Sequence, residues 1–500
     1  MALMYRWKKR PYHHQVLAVK KLLSTGWGGA LLMEPRTGKT KVCIDYASIL
    51  HMQGKVSRVI IWCPVGVIPV WQDQIAENCP FPHRILVWDK DSRKDHPLPS
   101  YGTGKLDFVI INYDALSTPG RAIVKRGVNT GRRSTSRGGR YDVKRKIIAW
   151  QPDLMILDES HRIKTPSARK TTAMMSIRKN VPYRVIATGT VVTKKKRIFD
   201  IYSQWNFLNP NRFAEMNFKE FKSYYGRWVE MGGYKKWIGN QNEGDLHRRI
   251  HLDSYSITRE ECYDLPPATH QVIHVPLTES AETYDQMAAD MVARIQSGEI
   301  TEASIKLVQG LRLSQITGGV VKTVPTPEHP SGRLVTIGSE KLRAIQSRLE
   351  DLMEADEKVV IAANFIADIQ RIKKLGDSLK VPTYVVRGGV TPSERERQRK
   401  DFHRVSGGAI FLAQPAAASE GIDLSCASIL QWYSLTMSWV HFTQFNDRIA
   451  LSEKPKFYEY FLATDTIDEL RYQTLLDDGD LGKYILQSPE RLLRIRNGDH

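Results

Sequence analysis

The chain has 500 residues, of which 41% are hydrophobic and 25% charged, so it is too long for a single core and has the composition of a soluble globular protein. Its 73 Lys and Arg outnumber 54 Asp and Glu, and the net charge of +19 favours a polyanionic partner. The five cysteines are scattered, without the paired spacing of a zinc site or a disulfide framework. The sequence contains no apolar run of about 18 residues, so no membrane span is predicted. The N-terminus has no secretory signal pattern, so we expect a cytoplasmic protein.

Short apolar runs bounded by turn residues recur in both halves of the chain, each followed by a helical pattern. They lie at 29–33, 59–63, 108–111, 154–157 and 185–187, and again at 359–362, 383–386, 409–412, 428–430 and 458–461. Runs of this kind are typical of buried parallel strands that alternate with helices. The sequence therefore predicts an α/β fold with two tandem parallel sheets.

The predicted domains are a first lobe at 1–264 and a second lobe at 265–500, with the tandem prolines 266 and 267 as the hinge. Helical insertions are expected at about 204–264 and about 277–335, the latter ending in an exposed proline-rich loop. Residues 119–147 are crowded with Arg, Lys, Gly and Ser and predict a flexible basic loop. This loop is either a solvated insertion or, as we favour, a supplementary contact to a polyanion.

A phosphate-binding loop is predicted where the first apolar run leads into a helix. The loop consists of Glu34, Pro35, Arg36, Thr37, Gly38, Lys39 and Thr40. Backbone N–H groups at a helix start bind anions; Lys39 is expected to reach the β- and γ-phosphates of ATP, and Thr40 to ligate Mg²⁺. Met33 stands where the usual pattern has its first glycine, and Gly-Lys-Thr alone is common by chance.

Asp158 and Glu159 supply the second signal, since they directly follow the apolar run at 154–157. Ligands bind at the carboxyl ends of parallel strands. We expect Asp158 to hold Mg²⁺ through water and Glu159 to polarise the attacking water. A solvated acidic turn is the simpler interpretation, but the position downstream of a phosphate loop favours an ATPase.

The segment from Asp158 to Lys164 resembles motif II of superfamily II helicases, and its Arg162-Ile163-Lys164 extension resembles the Swi/Snf-type branch. The loop at 34–40 is similar to that of the same branch. The resemblance implies that the two sheets are RecA-like lobes. It also implies that His161 couples the lobes.

Further segments resemble this family in its usual order, over roughly residues 8–475. In the first lobe, residues 10–15 look like the adenine-reading segment with Gln15 as the base contact, and residues 187–190 look like motif III. The resemblance implies nucleic-acid or coupling roles for Pro64, Asn112, Thr188, Gly189 and Thr190. In the second lobe, residues 358–365, 416–424 and 444–448 look like motifs IV, V and VI. There it implies nucleotide contacts from Gly421 and Asp423, a nucleic-acid contact from Ser419 and a catalytic role for Arg448.

Leu451 departs from the family pattern, in which a second arginine follows three residues after the first. Such an arginine finger contributes roughly 10³–10⁵ in rate, so its absence predicts slow hydrolysis. Arg448 alone, Lys454 or Lys456 are the candidates to replace it, although a lysine lacks the planar fork of an arginine.

The resemblance implies a DNA-dependent ATPase that translocates on duplex DNA. Two alternatives stay open: a strand-separating helicase on DNA or RNA, and a weak or inactive ATPase whose nucleotide state switches DNA binding. We expect a monomer without membrane contact. The length suggests a compact prokaryotic or bacteriophage version of the family. Association with the nucleoid is the alternative to a purely cytoplasmic location.

Overall fold

The computed structural model divides into two compact units, Met1–Asp264 and Leu265–His500. It describes residues 5–89, 92–95, 97–100, 104–116, 122–125, 134–137, 140–189, 198–213, 216–264, 266–297, 303–322, 333–418, 422–452 and 454–477. Within these ranges, no helix is long and apolar enough to cross a membrane.

The first unit is built on a seven-stranded sheet in which every neighbouring pair is parallel. The strands of this unit are β1 (Gly28–Met33), β2 (Arg58–Cys63), β3 (His83–Val87), β4 (Leu106–Asn112), β5 (Ala122–Lys125), β6 (Ser134–Arg137), β7 (Leu154–Asp158), β8 (Tyr183–Ala187), β9 (Gly226–Met231), β10 (Tyr234–Asn240) and β11 (Ser254–Ile257). The sheet has the order β11-β1-β8-β7-β2-β4-β3, while β5 pairs with β6 and β9 with β10 as two separate antiparallel ribbons.

Ten helices of the first unit fall within the described residues. They are α1 (His13–Ser24), α2 (Lys39–Met52), α3 (Ile68–Asn78), α4 (Ser92–Asp95), α5 (Arg140–Trp150), α6 (Arg169–Ile177), α7 (Ile201–Leu208), α8 (Phe218–Tyr225), α9 (Glu243–His251) and α10 (Arg259–Cys262). One apolar cluster packs α1, α2 and α3 on one face of the sheet, and another packs α5, α6 and α7 on the opposite face. Both faces are therefore covered, which is why the central strands are continuously apolar.

The second unit contains a six-stranded parallel sheet in the order β12-β19-β18-β15-β17-β16. The strands of this unit are β12 (Ala268–Val275), β13 (Val320–Lys322), β14 (Leu334–Thr336), β15 (Lys358–Ala362), β16 (Thr383–Val386), β17 (Ala409–Ala413), β18 (Ile429–Trp432) and β19 (Lys456–Ala463). Of these, β13 and β14 pair with each other outside the six-stranded sheet. Its helices are α11 (Ala281–Gln296), α12 (Ala303–Thr317), α13 (Glu340–Glu354), α14 (Ile366–Ser378), α15 (Pro392–Arg404), α16 (Pro415–Ala418), α17 (Trp439–Asn446) and α18 (Ile467–Leu476).

These two parallel sheets confirm the predicted fold class, and each of the ten apolar runs coincides with a strand. Three strands of the sheets had no such run: β3, β11 and β12. Each of them lies at an edge of its sheet. Edge strands are covered less completely, so their sequences do not need to be continuously apolar.

The inserted segments contain more β structure than the sequence indicated. Residues 204–264 were expected to be helical, but they include the β9–β10 ribbon and β11, which extends the main sheet beside β1. The basic segment was expected to be a loop; instead β5 and β6 pair, and α5 begins at Arg140 and buries Val143 and Ile147 in the core. In the second insertion, the expected loop at 323–335 ends in β14, which pairs with β13.

Candidate active site

The phosphate loop connects the buried strand β1 to α2, which begins at Lys39. Gly38 precedes the helix with a φ of 88°, and Arg36 has a φ of 70°, so two residues of the loop adopt left-handed backbone. The Lys39 ammonium donates to the carbonyl oxygens of Met33 at 2.7 Å and Glu34 at 3.1 Å. The lysine side chain thus lies back over its own loop, at the amino end of α2.

Helix α1 packs against one side of this loop. His14 Nε2 lies 2.8 Å from the carbonyl oxygen of Thr37, to which it donates, and Gln15 is only 4% exposed. A Cβ atom added to Gly38 would lie 2.0 Å from Gln15 Nε2. Gln15 Oε1 accepts from the Tyr12 N–H. Gln15 therefore lies directly on the phosphate loop, and its predicted adenine contact stays a prediction.

A segment from the end of the first unit contacts the same loop, although the sequence patterns provided no signal for it. The Arg259 N–H donates to Glu34 Oε2 at 3.0 Å, and Arg259 Nε lies 3.3 Å from the same oxygen. Tyr263 donates its hydroxyl to the carbonyl oxygen of Arg36 at 3.1 Å. Because these residues lie more than two hundred positions after the loop, only the parallel pairing of β11 with β1 brings them to it.

Asp158 ends β7 and is 7% exposed. Its Oδ2 accepts from the Trp71 indole N–H at 2.9 Å, and its carbonyl oxygen accepts from the Tyr113 hydroxyl at 2.7 Å. Burial, together with the neighbouring charge of Glu159, raises the pKa of Asp158. The carboxylate is thus held rigidly, in surroundings where a cation would favour its ionised form.

Glu159 follows with a φ of 53°, a left-handed conformation that is uncommon outside glycine and concentrates at functional sites. Its Oε2 accepts from Thr188 Oγ1 at 3.2 Å and lies 3.2 Å from His161 Nδ1. Burial opposes ionisation of Glu159, but the His161 contact, Lys39 and Thr188 outweigh it and lower its pKa. Glu159 is therefore an ionised carboxylate whose orientation is set by two predicted coupling residues.

The loop after β8 reaches the phosphate loop directly. The Thr188 N–H donates to the carbonyl oxygen of Leu31 in β1, and Thr188 is fully buried. A Cβ atom added to Gly189 would lie 2.6 Å from Pro35 Cδ. The predicted motif III thus contacts both the phosphate loop and Glu159, while Thr190 lies outside the described residues.

Pro64 and Asn112, predicted nucleic-acid contacts, lie at the carboxyl ends of two neighbouring strands: Pro64 directly follows β2, and Asn112 ends β4. Pro64 is buried and precedes a short turn in which Val65 is 44% exposed. Asn112 Oδ1 accepts from the Ala115 N–H at 3.0 Å and so fixes the following turn. Their predicted contacts with nucleic acid stay predictions.

In the second unit, Arg448 is 9% exposed and donates to two carbonyl oxygens. Its Nε donates to the carbonyl oxygen of Gln444 at 2.7 Å, and its Nη1 donates to that of Ile422 at 3.0 Å. Asp423, the next residue, accepts from the Ser425 N–H through Oδ1. Arg448 thereby ties the predicted motif VI to motif V, of which Ser419 and Gly421 lie outside the described residues.

Leu451 lies half-buried in the turn before β19. Of the two lysines that were candidates to replace an arginine finger, Lys454 is exposed and pairs with Glu357 at 2.7 Å. Lys456 is 5% exposed and begins β19. Lys456 is thus held in the sheet, and Lys454 makes an ion pair within its own unit.

The oxygen donors of Thr40 and Asp158 in the first unit fit a magnesium ion. Mg²⁺ in nucleotide sites takes one or two carboxylates together with phosphate oxygens and waters, not a cage of protein ligands. Thr40 supplies a hydroxyl in the first turn of α2, and Asp158 supplies the buried carboxylate.

A phosphate loop, an adjacent Asp-Glu pair and a second parallel sheet together define a two-lobed nucleotide-binding protein of the helicase type. The chain matches the family described as SNF2-related domain over residues 12–317 and the helicase conserved C-terminal domain over residues 340–450. It therefore belongs to the SNF2-related family, which confirms the predicted Swi/Snf-type superfamily II assignment.

Curated relatives match at low identity. The chain is 23% identical over 440 residues to a SWI/SNF-related matrix-associated actin-dependent regulator of chromatin subfamily A-like protein 1 homolog of Caenorhabditis elegans, covering 86% of this chain and 56% of that protein. It is 24% identical to the DNA repair and recombination protein RAD54B of Gallus gallus, covering 92% and 52%. The chain thus spans about half the length of these relatives. A SWI2/SNF2 ATPase core of Sulfolobus solfataricus in complex with dsDNA aligns at 17% identity with a TM-score of 0.42, covering 99% of this chain and 100% of that one.

Proposed function

We propose that the chain hydrolyses ATP and uses the energy to translocate along duplex DNA. The observation that carries this proposal is the contact of Glu159 with Thr188, in a loop that also touches the phosphate loop through Gly189. An oriented, ionised carboxylate beside a phosphate loop is what ATP hydrolysis requires. Membership of the SNF2-related family supports the same activity.

The residues of the first unit divide the chemical work. The N–H groups at the start of α2 and the Lys39 ammonium would bind the β- and γ-phosphates, once Lys39 exchanges its carbonyl partners for phosphate oxygens. Glu159 would orient the attacking water and accept its proton. Thr40, together with Asp158 through water, would hold a Mg²⁺ ion, whose charge would offset that of the phosphates.

The contacts of Glu159 also suggest how hydrolysis is transmitted. Thr188 and His161 both lie at Glu159 Oε2, so a change at the γ-phosphate that moves Glu159 alters both contacts. Ser160, which lies between Glu159 and His161 in the chain, donates to Gln204 of α7 at 2.6 Å. The motif II turn is therefore connected to α7, from which movement can pass into the inserted region.

Duplex DNA is the proposed polymer. The net charge of +19 suits a phosphate backbone, and the relative from Gallus gallus is named a DNA repair and recombination protein. We further propose that Pro64, Asn112 and Ser419 contact the backbone and that Gly421 and Asp423 contact nucleotide. The basic segment 119–147 is proposed to supplement the DNA contact. The protein is proposed to act as a cytoplasmic monomer.

A weak, switch-like ATPase is the second candidate, because Leu451 offers no cation and Arg448 donates to carbonyl oxygens of its own unit. Turnover of ATP with duplex DNA, single-stranded DNA and RNA separates the possibilities. We expect duplex DNA to raise turnover several-fold above the rate without polymer. Preferential stimulation by single strands would favour a helicase, stimulation by RNA alone would overturn the assignment of DNA, and the absence of any stimulation would favour the switch.

A further inference from the structure

The β9–β10 ribbon of the first unit has one face that packs on the protein and one that does not. Trp228 and Trp237 are cross-strand partners, and both rings contact Phe199: Trp228 is stacked at 5.9 Å and Trp237 is edge-on at 6.0 Å. The Trp228 indole also donates to the carbonyl oxygen of Lys222 in α8. This face, which we call the inner face, anchors the ribbon.

Both ends of the ribbon have a defined backbone geometry. Gly226 begins β9 so close to its surroundings that an added Cβ would lie 2.7 Å from the Lys222 carbonyl oxygen and 2.9 Å from the Phe199 ring. At the tip, Gly232 and Gly233 have φ values of 54° and 89°, as a two-residue hairpin turn requires. The ribbon is therefore a defined projection.

The opposite, outer face is exposed, and its apolar side chains lie towards the tip of the ribbon. Met231 opposes Tyr234, and Val229 opposes Lys236, so these four side chains share the outer face. Val229 is 43% exposed, Met231 45% and Tyr234 61%. Clustered exposed apolar side chains of this kind mark interaction surfaces.

Charge indicates what the outer face binds. Arg227 lies on the same face as Val229, since alternate residues of a strand share a face, and it is exposed. The outer face thus carries Arg227 and Lys236 and no acidic residue. Glu230, the acid of the ribbon, lies on the inner face opposite Lys235.

We propose that the outer face of the β9–β10 ribbon enters the major groove of duplex DNA, with Arg227 and Lys236 on phosphates and Tyr234 and Met231 towards the bases. The major groove, about 12 Å wide, admits a two-stranded β-ribbon. Apolar side chains at the tip of the ribbon match base edges at the floor of the groove, and cations nearer its base match phosphates along the groove edges. This inference rests on the proposed function, since it takes duplex DNA as the polymer.

The position of Phe199 relates this contact to the nucleotide site. Phe199 belongs to a short helical turn at Ile198–Asp200 that leads directly into α7, the helix that Ser160 contacts through Gln204. The ribbon therefore rests on the same element that receives the motif II turn. A contact in the groove would thus be physically continuous with the motif II turn, through Phe199 and α7.

The test measures binding of the full chain to a short labelled duplex by fluorescence anisotropy across a salt series, with Lys236→Ala compared against Lys235→Ala. Both variants remove one positive charge from an exposed position of β10, but from opposite faces. Lys236→Ala should reduce the slope of log affinity against log salt by about one, and Arg227→Ala/Lys236→Ala by about two with a loss of about tenfold in affinity at low salt. Lys235→Ala should bind as the wild type does. Tyr234→Ala should weaken binding without changing the slope.

Equal slopes for Lys236→Ala and Lys235→Ala would overturn the inference, as would an equal loss of single-strand and duplex binding in the double variant. Unchanged thermal melting and ATP turnover without DNA serve as controls for folding. Failure of the proposed duplex-DNA substrate, on which the inference rests, is distinguishable, because the wild type would then show no salt-dependent duplex binding. If the wild type binds duplex DNA and the outer-face variants bind equally well, only the ribbon assignment fails.

Discussion

Gly189 lies so close to Pro35 that a methyl group on Gly189 would approach Pro35 Cδ to 2.6 Å and Pro35 Cγ to 3.1 Å. The loop after β8 and the phosphate loop are thus in contact through a residue without a side chain and a rigid ring. A displacement of one loop therefore shifts the other, because closely packed protein interiors have low compressibility.

We predict that Gly189→Ala lowers ATP turnover by about tenfold, because overpacking of about 1–3 kcal/mol must be relieved by shifting the phosphate loop. The measurement is kcat and KM for ATP in the presence of duplex DNA. Pro35→Ala/Gly189→Ala removes the ring that the new methyl group meets, so it should regain part of the lost turnover. If Pro35→Ala/Gly189→Ala is no better than Gly189→Ala, the contact does not limit activity.

Lys39→Ala and Glu159→Gln should separate nucleotide binding from hydrolysis. Lys39→Ala removes the phosphate-binding ammonium, so ATP affinity should fall. Glu159→Gln keeps the shape of the side chain and loses the base, so ATP should still bind while turnover falls by roughly 10²–10⁴. Equilibrium binding of a fluorescent ATP analogue and steady-state turnover give the two quantities. Wild-type turnover in Glu159→Gln would remove this residue from the mechanism.

Leu451→Arg should raise kcat with duplex DNA by about tenfold or more, since a guanidinium at this position of the family stabilises charge on the transferred phosphoryl group. Leu451→Lys is the matched control, because it adds the charge without the planar fork. An unchanged kcat in both variants would show that Leu451 only packs. A scan of Arg448, Lys454 and Lys456 would then identify the cation.

Asp368 of α14 is predicted to make the second unit less stable as pH rises. It is 1% exposed, and burial raises its pKa to about 7 although Ser434, Lys341 and Arg371 oppose the shift; Asp468 adds to it. The folded state thus holds the proton more tightly than the unfolded state, and stability falls as pH rises from about 4 to about 7. Above about pH 7 Asp368 is ionised in the folded state, and the free-energy cost of burying its charge lowers the stability in full.

Asp368→Asn carries no titrating proton at this position, so its melting temperature should exceed that of the wild type by a few degrees near pH 8. Near pH 5 the difference should shrink. Thermal melting of both proteins at these two pH values checks the prediction. A difference that is independent of pH would show that Asp368 does not titrate in this range.

The sequence allowed the central strands and the two acidic motif residues to be predicted because both depend on local pattern. The apolar run at 154–157 is short and bounded by turn residues, which indicates a buried strand, and the carboxylates that follow it then lie at its carboxyl end. The edge strands β11 and β12 were missed because partly covered strands need no such run.

Contacts between distant segments could not be predicted in the same way. Tyr263 reaches the Arg36 carbonyl oxygen only because β11 pairs with β1, and nothing in either segment specifies that pairing. The outer face of the β9–β10 ribbon could not be predicted for a related reason. Residues 204–264 were expected to be helical, and only the register of the paired strands shows which side chains share the outer face.

The central claim is that ATP hydrolysis drives movement along intact duplex DNA, and displacement of a third strand from a DNA triplex tests it most directly. With ATP, the wild type should release the third strand without separating the duplex, and Glu159→Gln should release none. Hydrolysis that is stimulated by DNA but releases no third strand would contradict the account.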